Sequence, residues 1–167
     1  MTTRRSVAFT LCLACLSGSC GQPFFRPRPT PPAPSFVPPE SSAAILEICL
    51  DQRGCLGPCP EYRFVLRRSG VSDYQGGRFA AIQGRYEAVV DSATFDRLAQ
   101  LLLKRRFFTM DSVQGIFIDA PSTRIAAVLV DSRQKWVAGY QASSGFLEIA
   151  EAIDSVGAHL SWKALAR

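Results

Sequence analysis

Apolar and polar residues alternate along residues 44–51, with Leu46, Ile48 and Leu50 on one side and Glu47, Cys49 and Asp51 on the other. That period of two predicts a strand with one face toward a core. The stretch 61–67 alternates in the same way, placing Tyr62, Phe64 and Leu66 inward, and Ser69-Gly70 turns it back into Val71-Ser72-Asp73-Tyr74. The two segments read as a hairpin. A fourth strand is expected over 85–90, ahead of the helix-starting pair Asp91-Ser92. From there the spacing changes to that of a helix: Phe95, Leu98, Ala99, Leu101 and Leu102 share a face over Ser92–Arg106, while Asp96 and Arg97 point outward. A second hairpin follows, 123–131 with 135–141 across Ser132-Arg133-Gln134, and the chain closes on a helix over Gly145–Leu160 whose Phe146, Ile149, Ala150, Ile153, Val156 and Leu160 form one stripe. Adjacent strands joined by tight turns, followed by helices that must bury a stripe, predict an α+β domain. Its expected form is a mainly antiparallel sheet of about five or six strands with two helices packed on one face.

Before this pattern the chain changes character. Arg4 and Arg5 precede the apolar run 7–16, small residues 17–19 follow, and Cys20 opens a segment holding eight of the eleven prolines, between Pro23 and Pro39. A charged, apolar and small-residue order of this kind predicts a secretory signal over 1–19, with Cys20 as the acylated first residue of a lipoprotein. Ordinary cleavage and release into the periplasm is the alternative, because Ser17 stands where a lipoprotein signal usually has an aliphatic residue. The proline-rich stretch 20–40 has little to bury and favours extended backbone, so it reads as a spacer between a lipid bilayer and one domain over 41–167. Gly21 after the cysteine favours the outer membrane by resemblance to other bacterial lipoproteins.

The formal charge of +5 then loses most of its meaning. Arg4, Arg5, Arg26 and Arg28 lie in the signal and spacer, and the remaining domain is only slightly positive. Nucleic acid is not expected as a partner: no basic stripe interleaved with aromatics appears. The one basic run, 104–106, falls at a helix end, where cations complement the negative end of the helix dipole.

Chemistry concentrates in one segment, Cys49-Leu-Asp-Gln-Arg-Gly-Cys55-Leu-Gly-Pro-Cys59-Pro-Glu-Tyr62. Cys55-Leu-Gly-Pro-Cys59 can turn sharply enough to bring two cysteines into bonding range, and an oxidising envelope would then pair them. Cys49 is expected to remain free, with Cys49–Cys55 and Cys49–Cys59 as the rival bonds. Cys55 to Tyr62 resembles the Cys-x-Gly-x-Cys-Pro-x-Tyr signature of a family of bacterial envelope domains without an assigned function. Gly70, Tyr74-Gln75-Gly76, Gly84, Asp119-Ala120-Pro121, Tyr140, Asp154 and Trp162 extend the likeness from about Ile45 to Trp162. The resemblance implies a lipoprotein domain and names no activity.

Other signals are sparse. The single histidine, His159, lies near a helix end, so no metal site is expected; no cofactor motif, Gly-x-Ser-x-Gly elbow or phosphate loop is present. Asp119 at a loop tip and Tyr62 and Tyr74 on a strand face are the candidate binding residues. No residue is assigned a catalytic role. The expected function is a membrane-tethered, non-catalytic binding or accessory module acting on an envelope protein or glycan. The alternative is a thiol-disulfide enzyme using Cys55 and Cys59.

Overall fold

The computed structural model describes residues 36–115, 120–140 and 142–165. The signal segment, Cys20, most of the spacer and Asp119 lie outside the described residues. The order is β1 (Ile45–Arg53), β2 (Tyr62–Arg67), β3 (Val71–Gly76), β4 (Gly84–Val89), α1 (Ser92–Lys104), β5 (Val113–Gln114), β6 (Ser122–Leu129), β7 (Gln134–Gly139), α2 (Ser144–His159) and β8 (Lys163–Ala164). Short 3-10 turns precede β1 at Ser42–Ala44 and follow α1 at Phe107–Thr109.

The class is α+β, but the sheet differs from expectation. It has eight strands in the order β5-β7-β6-β1-β2-β3-β4-β8, and it is mixed. β5 runs parallel to β7, whereas β1 pairs antiparallel with both β2 and β6 at the centre. The two additional strands are the edges, each two residues long. A strand that short has no alternation to read. The parallel pair arises because β5 passes to the outside of β7 while β6 returns between β7 and β1, so β5 and β7 point the same way.

Strand β1 carries a second correction. Ile45 faces Leu129 while Glu47 faces Val128, so two steps on β1 meet one on β6. This bulge shifts the alternation by one place: Ile45 is buried and Leu46, expected inside, is 38% exposed. Beyond the bulge Ile48 and Leu50 are buried as their alternation requires.

One side of the sheet and both helices share a single core. Ile48, Leu50, Phe64, Leu66, Ile125 and Val137 from the strands meet Phe95, Leu98 and Leu102 of α1 and Phe146, Ile149 and Ile153 of α2. Helix α1 starts where Asp91 accepts a hydrogen bond from the Thr94 N–H at 2.8 Å, which satisfies a donor that the first turn leaves unpaired. It stops before Arg106, whose φ of 53° lies in the left-handed region. The other face of the sheet carries charged side chains among apolar ones: Arg67 bridges Glu47 at 3.1 Å and Asp73 at 2.6 Å, and Arg63 donates to the Cys49 sulfur at 3.2 Å. Phe36 and Val37, in the stretch read as spacer, touch the domain. Phe36 stacks on Phe108 with ring centres 5.6 Å apart, and Arg133 donates to the Val37 carbonyl.

Candidate functional site

The register of three strands assembles an aromatic row that no single segment displays. Phe64 of β2 faces Tyr74 of β3, and Tyr74 faces Tyr86 of β4, all on the side that carries the helices. Tyr62, two residues before Phe64, lies on the same side. The rings touch: Tyr62 to Phe64 at 5.3 Å edge-on, Phe64 to Tyr74 at 5.1 Å and Tyr74 to Tyr86 at 6.0 Å between centres. Trp162, just past α2, stacks on Phe64 at 5.8 Å and sits 5.5 Å from Tyr74. Tyr140 belongs to the other half of the sheet, after β7, and does not join them.

Between this row, the end of α2 and the β3–β4 loop lies a cleft of about 550 Å³. Its size suits a small molecule. Asp154 of α2 supplies its only charged side chain among the described lining residues, and accepts a 2.7 Å hydrogen bond from the Tyr62 hydroxyl. Burial, first, and then that bond hold the Tyr62 hydroxyl protonated well above the ordinary tyrosine value of 10.0. Tyr74 is raised too, chiefly by burial, and donates to the Ile82 carbonyl at 3.0 Å; the Trp162 ring N–H donates to the Gly157 carbonyl at 2.8 Å.

Gly157 is what lets α2 approach. A side chain there would have its first carbon 2.5 Å from the Phe64 ring. The helix therefore lies directly against the row, and the cleft opens beside that contact.

The rim connects the cleft to the cysteine segment. The structure joins Cys55 and Cys59 in a disulfide with α-carbons 5.6 Å apart, and Cys49 is free. The bonded turn leads through Pro60 to Glu61, whose backbone donates to the Arg78 carbonyl at 2.9 Å and accepts from the Gly77 N–H at 2.7 Å. Its carboxylate takes the Arg78 guanidinium at 2.7 Å. These bonds hold the loop 77–83, and Phe79 projects from it, 54% exposed, with a φ of 58°. A left-handed phenylalanine costs on the order of 1–2 kcal/mol. The loop spends that to place an exposed ring at the cleft mouth, beside the part-exposed Ile82.

Cys49 lies on the opposite face of the sheet, and burial pushes its thiol up while the neighbouring Arg63 opposes the shift. Among the described residues no group of three or more His, Cys, Asp or Glu is placed to hold a metal ion. No helix among them is long and apolar enough to cross a membrane.

A family model described as Domain of unknown function (DUF6438) matches residues 46–157. The chain belongs to this family. No curated protein matches it. The DUF6438 segment contains the disulfide turn, the aromatic row, Phe79 and Asp154, while Trp162 and β8 follow its matched end.

The two candidate tyrosines, Tyr62 and Tyr74, thus come together in one cleft with ring centres 6.3 Å apart. Sequence reasoning named Asp154 only within the family resemblance, without a role in a site, and passed over Phe79 and Gly157. Asp154 had a signal: it lies four residues after Ala150 and three before Gly157, on the margin of the α2 stripe, where a carboxylate borders the core. Phe79 had none, because a loop has no period.

Proposed function

We propose that this DUF6438 domain is a non-catalytic binding module of a lipid-anchored envelope protein, and that it receives its ligand in the aromatic cleft. The observation that carries the reading is the cleft itself: a lining that includes Tyr62, Phe64, Tyr74 and Trp162, one carboxylate, and an exposed Phe79 held in an unfavourable backbone conformation. Strained, exposed aromatic residues cluster at ligand sites because folding alone gives them no return. The charged and small residues before Cys20 and the proline-rich spacer support acylation at Cys20 and presentation of the domain away from a bilayer, with the outer membrane favoured. On this reading Cys55 to Tyr62 is the family's structural marker. Its disulfide steadies Glu61, and Glu61 steadies the loop that carries Phe79.

The test uses full-length protein and its Ala158→Phe variant. Ala158 is an exposed residue of α2 that lines the cleft, so a ring there fills the space without entering the core. Both proteins are incubated with fractionated envelope extract, and the retained compounds are identified by mass spectrometry. A compound held by the parent and lost in Ala158→Phe is the expected result. Equal retention by both proteins, or none by either, refutes the cleft as a binding site. Acyl labelling that is lost in Cys20→Ala is the expected result for the anchor; unlabelled parent protein rejects it.

A further inference from the structure

Taking the cleft as a ligand site, the donor and acceptor inventory of its walls restricts what can enter. Every side-chain donor in the described lining is already committed: Tyr62 to Asp154, Tyr74 to the Ile82 carbonyl and Trp162 to the Gly157 carbonyl. What the side chains leave for a ligand is acceptor capacity and electron-rich surface. Asp154 gives its Oδ1 to Tyr62 and has no bond from a described residue at Oδ2. Tyr62, Tyr74, Phe79 and Trp162 contribute aromatic rings, and no Lys, Arg or His is among the described residues that line the space.

An anion needs donors, and among the described lining side chains it would meet none free and one carboxylate. A neutral polyol needs donors and acceptors in comparable number. A cation needs neither a donor nor a counter-charge beyond those already there: ring faces attract it, and the carboxylate complements its charge. We infer that the cleft binds a free small-molecule alkylammonium ion, its charged nitrogen near Asp154 and its carbon groups against Tyr62, Tyr74, Phe79 and Trp162. A volume of about 550 Å³ holds a ligand of that size with room for its substituents. This inference rests on the proposed use of the cleft and adds the class of ligand.

The experiment compares choline with 3,3-dimethylbutan-1-ol, its neutral carbon isostere, on full-length protein in a non-ionic detergent. The chain has two tryptophans, and Trp136→Phe leaves Trp162 as the single fluorescent reporter inside the site. Choline is expected to change Trp162 emission saturably, with the neutral isostere binding at least about ten-fold more weakly. Asp154→Asn keeps an oxygen to accept the Tyr62 hydrogen bond and removes the charge; it should weaken choline about ten-fold and leave the isostere unchanged. Phe79→Ala removes a half-exposed rim ring, so folding is not at stake, and should weaken choline several-fold. Equal binding of the two compounds, or unchanged choline binding in Asp154→Asn, overturns the cationic assignment while leaving a binding cleft in place. Absence of choline binding up to millimolar concentration also overturns it. Failure of the cleft as a site is read separately, from the Ala158→Phe comparison in envelope extract.

Discussion

Two glycines of the same helix should respond to the same substitution with opposite signs. Alanine in place of a helical glycine ordinarily stabilises by about 0.5–1 kcal/mol, because the unfolded chain loses freedom. At Gly157 the added carbon would meet three atoms of the Phe64 ring at 2.5–2.7 Å. Carbon atoms pack best near 3.5–4.0 Å, so ring and helix must separate by roughly 1 Å. Phe64 has nowhere to go: it is 5% exposed, with Trp162, Tyr74 and Tyr62 around it. Over-packing of this kind costs about 1–3 kcal/mol, and after the helix gain Gly157→Ala should lose about 1 kcal/mol net. In urea that lowers the unfolding midpoint by roughly 0.5 M, for a slope of about 2 kcal/mol/M. At Gly145 the added carbon lies 3.5 Å from the Met110 methyl and 3.7 Å from the Arg105 side chain, which is ordinary contact. Gly145→Ala, in the first turn of α2, should gain about 0.5 kcal/mol. Phe64→Leu in the Gly157→Ala background should show a coupling above about 0.5 kcal/mol, since the two positions share one contact. Midpoints that move in the same direction for both glycines, or the absence of coupling to Phe64, would refute the close approach of α2 to the aromatic row.

Opening the Cys55–Cys59 bond releases a very short loop, so Cys55→Ser with Cys59→Ser should cost about 2 kcal/mol in urea titration, and reductant added to the parent should reproduce the loss. Tyr62→Phe should cost about 1–2 kcal/mol by removing the hydrogen bond to Asp154. The Tyr62 proton is held more tightly folded than unfolded, so this stabilisation is complete below the ordinary value of 10.0 and lost as pH rises above it. Midpoints compared at pH 8 and pH 11 should therefore fall less in Tyr62→Phe than in the parent. Burial raises the Cys49 thiol above its ordinary value of 9.0, so alkylation followed by mass spectrometry at pH 8 should label Cys49 slowly in the native protein and rapidly in denaturant.

Local pattern was enough to find the longer elements, because burying one face of a strand or one stripe of a helix imprints a period on the residues themselves. The hairpin of Tyr62–Arg67 with Val71–Gly76 and the helices beginning at Ser92 and Ser144 are read directly from spacing. The close pair Cys55 and Cys59 is legible for a related reason: four residues of separation with a glycine and a proline between them constrain the geometry almost by themselves. What spacing could not supply was everything decided by partners far along the chain. The bulge that turns Leu46 outward exists only against β6, and the edge strands β5 and β8 are two residues each, defined by hydrogen bonds to β7 and β4. The cleft is the extreme case. Tyr62 and Asp154 are 92 residues apart, yet joined by one hydrogen bond, and Phe64, Tyr74 and Trp162 meet because strand register and the missing side chain at Gly157 bring them together. Periodicity records which side of an element is buried; it carries no information about which other element covers it, and a site built from several elements is decided by that second choice.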